Sequence, residues 1–181
     1  MNIIGDKVCL RAMELEDMEC FRNMLNDPEI ENMLGGWSTP VSMYQQEEWY
    51  KRVINDNRNF RWSVIKRDDQ ELIGMVNLVD IDWKNGTGFH GIRLLPGEKY
   101  RHQGYGTDAV NTLMSYAFEE LRLNRLETTI IEYNHFSQAL YHKCGWSIEG
   151  TKRMAVYRNG RYFDLLVLGV LAYEWEERKE K

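Results

Sequence analysis

Hydrophobic positions along this chain alternate between two periods, and the switches mark its elements. Residues 7–13, Lys-Val-Cys-Leu-Arg-Ala-Met, alternate as a strand does. From Glu14 to Leu25, Leu15, Met18, Phe21, Met24 and Leu25 fall at helical spacing. Asn26-Asp27-Pro28 should end that helix, because a residue before proline avoids the α region. Residues 35–40 read as loop, and Ser42 can cap a second helix running to about Ile54. Two strands, 60–66 and 71–80, flank the polar turn 67–70. Asn85-Gly86 signals a hairpin into a strand over 87–95. A helix is expected from about Gly104 to Leu121, with a stripe of Ala109, Val110, Leu113, Met114, Ala117, Phe118 and Leu121. A β-branched strand over 125–132 leads to a short helix, 136–143, that Gly145 ends. Strands over 146–157 and 162–172 flank Asn159-Gly160, a second hairpin signal.

This order, β-α-α-β-β-β-α-β-α-β-β, is that of a mixed α/β sandwich rather than a regular doubly wound fold. The strand–turn–helix–strand unit at its centre should be a right-handed crossover. The chain has 181 residues, which fits one domain over 1–181. Hydrophobic residues make up 43% and aromatics 12%, enough to build a core. No run approaches the length of a membrane span, and the N-terminus lacks the pattern of a signal peptide. Cys9, Cys20 and Cys144 are scattered, which suits a reducing cytoplasm. The histidines His90, His102, His135 and His142 show no zinc spacing with them, so no metal is expected. A net charge of −5 argues against nucleic-acid binding and is compatible with a cationic substrate.

Candidate chemistry begins at Arg101-His102-Gln103-Gly104-Tyr105-Gly106-Thr107, between a strand and a long helix. Two glycines allow a tight turn, and the helix start offers unpaired N–H groups and a positive dipole end to an anion. It is not a dinucleotide fingerprint, since it lies past mid-chain with no acidic residue placed for a ribose. Nor is it a P-loop, since no Gly-Lys-Ser/Thr follows.

A second block, Asn134-His135-Phe136-Ser137-Gln138-Ala139-Leu140-Tyr141-His142-Lys143-Cys144-Gly145-Trp146, follows the strand at 125–132. With both blocks in view, the chain resembles the GNAT acyltransferase superfamily. Val8-Cys9-Leu10-Arg11-Ala12 and Arg158-Asn159-Gly160-Arg161-Tyr162-Phe163-Asp164 resemble the branch of ribosomal-protein N-terminal and spermidine acetyltransferases. The resemblance implies a mixed, mostly antiparallel sheet of six to seven strands flanked by about four helices. It also implies transfer of acetyl from acetyl-CoA directly to a primary amine, and a homodimer as one possible assembly.

By that resemblance, Arg101, His102, Gln103, Gly104, Tyr105, Gly106 and Thr107 hold the pyrophosphate, and Leu94 lies beside the pantetheine. Asn134 bonds the pantetheine or caps the helix after it. A splayed strand pair would form the slot. Tyr141 is the general acid, one helical turn after Ser137, which is secondary. Many relatives place a glutamate on the strand before the turn. Gly88-Phe89-His90-Gly91-Ile92-Arg93 has none, which leaves as candidate bases His90, a water relay ending on Glu132, or a carboxylate from the N-terminal helices. Residues 26–50 are expected to line the acceptor site through Trp37, Tyr44, Trp49, Tyr50, Glu29, Glu31, Glu47 and Glu48. The acceptor is a protein N-terminus or a polyamine, with aminoglycosides and amino sugars also open. The missing glutamate keeps a non-catalytic acyl-CoA-binding domain as the alternative.

Overall fold

The computed structural model describes residues 1–34, 39–56 and 58–179. In chain order the elements are β1 (Ile3–Ile4), β2 (Val8–Ala12), a 3-10 turn (Leu15–Asp17), α1 (Met18–Asn26), α2 (Pro28–Asn32), α3 (Met43–Val53), β3 (Phe60–Lys66), β4 (Leu72–Asp82), β5 (Thr87–Leu94), α4 (Tyr105–Ser115), β6 (Arg125–Ile131), α5 (His135–Lys143), β7 (Ser147–Arg158), β8 (Arg161–Leu171) and α6 (Ala172–Lys179). After α4 the helix widens into a π-turn, Tyr116–Glu120, so the helical run extends about as far as its apolar stripe implied. No helix among the described residues is long and apolar enough to cross a membrane.

The eight strands form one sheet in the order β1-β2-β3-β4-β5-β6-β8-β7. Every neighbouring pair is antiparallel except β5 and β6, which α4 connects as a crossover. The fold class is the one expected, with an eighth strand and six helices among the described residues. The additions are short. β1 has two residues and α2 has five, below the length at which periodicity is visible. Asp27 explains α2: its side chain accepts from the Glu29 and Ile30 N–H groups, and Pro28 occupies the first turn. The same proline that ends α1 therefore starts α2. The strand expected to reach Ala172 stops at Leu171, where α6 begins.

Each sheet face has its own core. On one face, α4 buries Ala109, Val110, Leu113 and Met114 against Val8, Leu10, Val64, Val76, Leu78 and Leu126. On the other, Met13, Met18, Phe21, Met24 and Ile30 pack with Met75 and Leu95. Burying one such side chain stabilises the fold by about 1.5–3 kcal/mol. Asp17 anchors the start of α1. Its buried carboxylate accepts from Arg11 through both guanidinium arms at 2.7 and 2.8 Å, and from Ser63 Oγ at 2.6 Å.

Candidate active site

β5 and β6 pair only at Thr87–Arg125, Gly88–Leu126 and Phe89–Glu127. Beyond that point β5 stays with β4 as far as Leu94, and β6 stays with β8 as far as Ile131. The two strands therefore part, and the β5 edge from His90 onward has no strand partner on the β6 side. A backbone edge of this kind offers hydrogen bonds to an extended ligand. The parting leads into a cleft of about 630 Å³, lined on this side by Ile92, Arg93, Leu94 and Leu95.

The glycine turn stands at one end of the cleft. Tyr100 N–H and Arg101 N–H both donate to the Gly97 carbonyl, and His102 and Gly104 take left-handed backbone angles (φ 59° and 86°). Gly104 is the N-cap of α4, so the first N–H groups of that helix lack intrahelical partners. The turn is fixed from behind. Asp108 accepts from the backbone N–H groups of Asp6, Lys7 and Val8 at 3.1, 2.8 and 2.8 Å, and Lys7 Nζ donates to the Gln103 carbonyl at 2.7 Å. The segment 96–100 is clipped to Glu71, which accepts from Lys99 Nζ and the Tyr100 hydroxyl.

Among the expected donor-site residues, Leu94, Arg101 and Asn134 line the cleft, and the Arg101 guanidinium lies 5.3 Å over the Phe136 ring. His102 and Gln103 are exposed on the turn. Tyr105 packs its ring against the core and under Lys66, so only its backbone belongs to the turn. Gly106 faces Leu94 and Leu140, whose side chains an added Cβ would meet at 3.4–3.5 Å. Thr107 continues the first turn of α4. Asn134 caps α5, accepting from Ser137 N–H at 3.1 Å, while its amide donates to the Met33 carbonyl at 2.9 Å.

At the point where the strands part lies a buried pair. His90 is the first β5 residue beyond the last parallel pair, and its Nδ1 is 2.8 Å from the Tyr141 hydroxyl. Trp146 packs edge-on against both rings. His90 is 0% exposed and Tyr141 3%. Burial pulls the imidazole down to about 3 and pushes the phenol up, the latter opposed by a hydrogen bond from Thr128. Both groups are therefore neutral at pH 7, and the imidazole tautomer decides which of them carries the shared proton. His90, expected as a candidate base, does not line the cleft, and its burial disfavours the protonated form that a base passes through; its hydrogen bond sets it against Tyr141. Ser137 lines the cleft one turn before Tyr141, and Tyr141 itself stands behind that lining.

The far end of the cleft is built on α2. Pro28, Glu29, Ile30, Asn32, Met33 and Leu34 line it, together with Asn159. Three contacts from distant parts of the chain hold this segment. The Tyr133 hydroxyl donates to the Asn32 carbonyl, Arg158 donates to the Leu34 carbonyl at 2.9 Å, and Asn159 Nδ2 donates to Asn32 Oδ1 at 3.3 Å. The hairpin at Asn159-Gly160 thus positions α2.

Of the residues expected over 26–50, Glu29 of α2 lines the cleft and those of α3 do not. Trp49 and Tyr50 pack on the second core, and the Tyr50 hydroxyl donates to the Met13 carbonyl. Tyr44 is 73% exposed, Glu48 pairs with Lys51, and neither Glu47 nor Glu48 lines the cleft. Trp37 lies outside the described residues. Glu132 is exposed and accepts from Asp164 N–H, away from the cleft lining. Sequence reasoning placed residues 92–95 beside the donor but missed the charge that Arg93 brings to the cleft and the isolation of Glu31. Glu31 is buried with both oxygens unbonded, and burial pushes its carboxyl up against the pull of Arg93 and Arg158. A charged residue on a strand otherwise lined by Ile92 and Leu94 was the available signal for Arg93.

The comparisons with known proteins agree with this geometry. The family described as Acetyltransferase (GNAT) domain matches residues 7–147. The SPbeta prophage-derived N-acetyltransferase YokL of Bacillus subtilis is 29% identical over 95% of this chain and 94% of its own length. The spermidine N(1)-acetyltransferase of Escherichia coli is 25% identical over 93% of this chain and 88% of its own. The crystal structure of spermidine N-acetyltransferase from Vibrio cholerae in complex with CoA and spermine superposes with a TM-score of 0.87 at 26% identity, covering 95% of this chain and 99% of that one. A sheet that parts beside a glycine-turned helix, and a family match over most of the length, lead to one conclusion: this chain belongs to the GNAT acetyltransferase family and is an N-acetyltransferase that uses acetyl-CoA.

Proposed function

We propose that this enzyme binds acetyl-CoA across the parted strands β5 and β6 and transfers its acetyl group to a primary amine that enters over α2. The observation that carries this reading is the parting itself, because it sets the glycine turn and the free β5 edge along one cleft, with Tyr141 directly behind the Ser137 and Leu140 lining. The pyrophosphate meets the first N–H groups of α4, with Arg101 adding charge. The pantetheine runs along Ile92 to Leu94 as an added strand would. The thioester then lies near Tyr141.

The neutral amine attacks the thioester carbonyl carbon, and a tetrahedral intermediate forms. Its C–S bond breaks, the acetyl stays on nitrogen, and the Tyr141 hydroxyl gives its proton to the departing thiolate sulfur. The surplus proton on nitrogen goes to water in the cleft and returns to the phenolate through solvent, so no proton is lost or gained overall. A phenol with a raised pKa is fully protonated at neutral pH, as an acid must be before it acts. His90 fixes the position of that hydroxyl. Two acceptor classes are compatible with the cleft, a polyamine and a protein N-terminus. Similarity to spermidine acetyltransferases over nearly the whole chain supports the first, and the α2 platform leaves room for the second.

The test is thiol release from acetyl-CoA across a panel of primary amines, with acetyl-CoA binding measured separately by calorimetry. Binding with turnover of at least one amine is expected. Binding with no release above the uncatalysed rate for any amine would overturn the reading.

A further inference from the structure

Arg93 is the charged side chain that the β5 wall brings to the acceptor half of the cleft. It lies opposite Met75 in the β4–β5 ladder, and cross-strand partners share a face. Met75 packs into the core beneath α1 and α3, so Arg93 faces the α2 side rather than α4. No hydrogen bond or ion pair joins its guanidinium to a described residue. Burial weakens the charged form, and Glu31 is the one carboxylate that opposes this. Glu31 is itself buried, with both carboxylate oxygens unbonded. Asn77, opposite Gly91 on the same face, also keeps a buried Oδ1 without a partner, and a Cβ on Gly91 would strike its amide at 2.8–2.9 Å. Polar groups from β4 and α2 beside Arg93 thus lack a protein partner on one face of the sheet, and buried polar groups in native interiors nearly always have one, in protein, water or a ligand.

We propose that Arg93 is a specificity-determining residue that anchors a carboxylate on the acceptor, so that the favoured substrate is a primary amine carrying an anion close to its nitrogen rather than a polyamine. The inference rests on acetyl transfer taking place in this cleft. Glu31 is the carboxylate whose charge acts on the guanidinium, and its own oxygens are buried and do not line the cleft. Arg158 also acts on Glu31 and donates to the Leu34 carbonyl. Glu29 on the rim is exposed, so solvent screens it. Arg101 stands with the glycine turn at the donor end. What the acceptor half offers at close range is therefore a planar cation, which matches a carboxylate in a two-armed geometry and repels the second ammonium of spermidine. The carboxylate could belong to a free amino acid or to an acidic side chain at a peptide N-terminus.

The experiment is steady-state acetylation by the full chain with four acceptors: spermidine, a free acidic amino acid, a peptide with an acidic first residue, and the same peptide with the amide in place of that acid. The acidic peptide should exceed its amide counterpart, and it or the amino acid should exceed spermidine, by at least about tenfold in kcat/KM, and which of the two wins identifies the source. R93M should erase the ratio between the acid and amide peptides, and R93K should keep part of it. A ratio measured within one variant does not depend on how much of that variant is folded. Spermidine as the best acceptor, an acid-to-amide ratio unchanged in R93M, or a change in KM for acetyl-CoA instead would each overturn the proposal. Bound acetyl-CoA with no turnover of any of the four or of the wider amine panel would instead overturn the acetyl-transfer reading on which it rests.

Discussion

The two ends of the cleft are built in different ways. The donor end consists mostly of backbone: a turn with left-handed residues, the start of α4 and an unpaired β5 edge. The proposed acceptor end consists of side chains, Glu29, Asn32, Arg93 and Asn159, brought together from α2, β5 and the β7–β8 hairpin. A backbone cradle needs particular residue types at fixed spacing, so it tolerates little change and suits a constant donor. A side-chain cradle can be altered one residue at a time, which suits the variable acceptor we propose for it.

Breaking the donor end at its support should have the largest effect. Asp108→Ala leaves three backbone N–H groups without their charged partner. We expect a stability loss of about 3 kcal/mol by chemical denaturation, and weaker acetyl-CoA binding in calorimetry. Unchanged acetyl-CoA affinity in the folded variant would show that the turn does not depend on this clamp.

Next comes the frame common to both ends. The Arg11 guanidinium and Ser63 hold the Asp17 carboxyl below its ordinary range despite burial, which acts to raise it. A depressed folded-state pKa stabilises above the unfolded value of about 4, and that stability disappears as pH falls through the folded value. Asp17→Asn should cost about 2 kcal/mol at pH 7, since Arg11 is partly exposed, and should flatten the acid limb of stability against pH. An identical acid limb in wild type and variant would remove Asp17 from the account.

At the donor turn itself, Gly104→Ala places a Cβ at φ 86°, a cost of about 1–2 kcal/mol. The change should raise the Kd for acetyl-CoA and leave the acceptor KM alone. The smallest expected effect is at the other end. Asn159→Ala removes one hydrogen bond to α2, worth about 0.5–1.5 kcal/mol, and should raise the acceptor KM while acetyl-CoA affinity stays constant. If both variants moved the same constant, the division into donor and acceptor ends would fail.

The same division explains what is legible in the sequence. The α4 stripe and the glycine turn follow local rules of spacing, so the residues alone reveal them, while the structure decides that Asn134 caps α5. The short elements do not show themselves in this way. α2 is a single turn begun by Asp27 and Pro28, and its place is set by Tyr133, Arg158 and Asn159 more than 100 residues away in the chain. The aromatic residues of α3 suit a binding face and a core equally well, and tertiary packing decides for the core. His90 as a base rests on residue type alone. Its burial against Tyr141 depends on where β5 and β6 part, which no local pattern records. Arg93 and Glu31 lie 62 positions apart, and their proximity becomes visible only when α2 covers β5.

The most direct test of the account is Tyr141→Phe, which keeps the ring and removes the hydroxyl. With a reactive amine in excess, kcat should fall by at least about 100-fold, the usual scale for losing a general acid, while the calorimetric Kd for acetyl-CoA stays within about twofold. A variant that binds acetyl-CoA normally and keeps its full kcat would contradict the claim that the parted strands deliver the thioester to Tyr141.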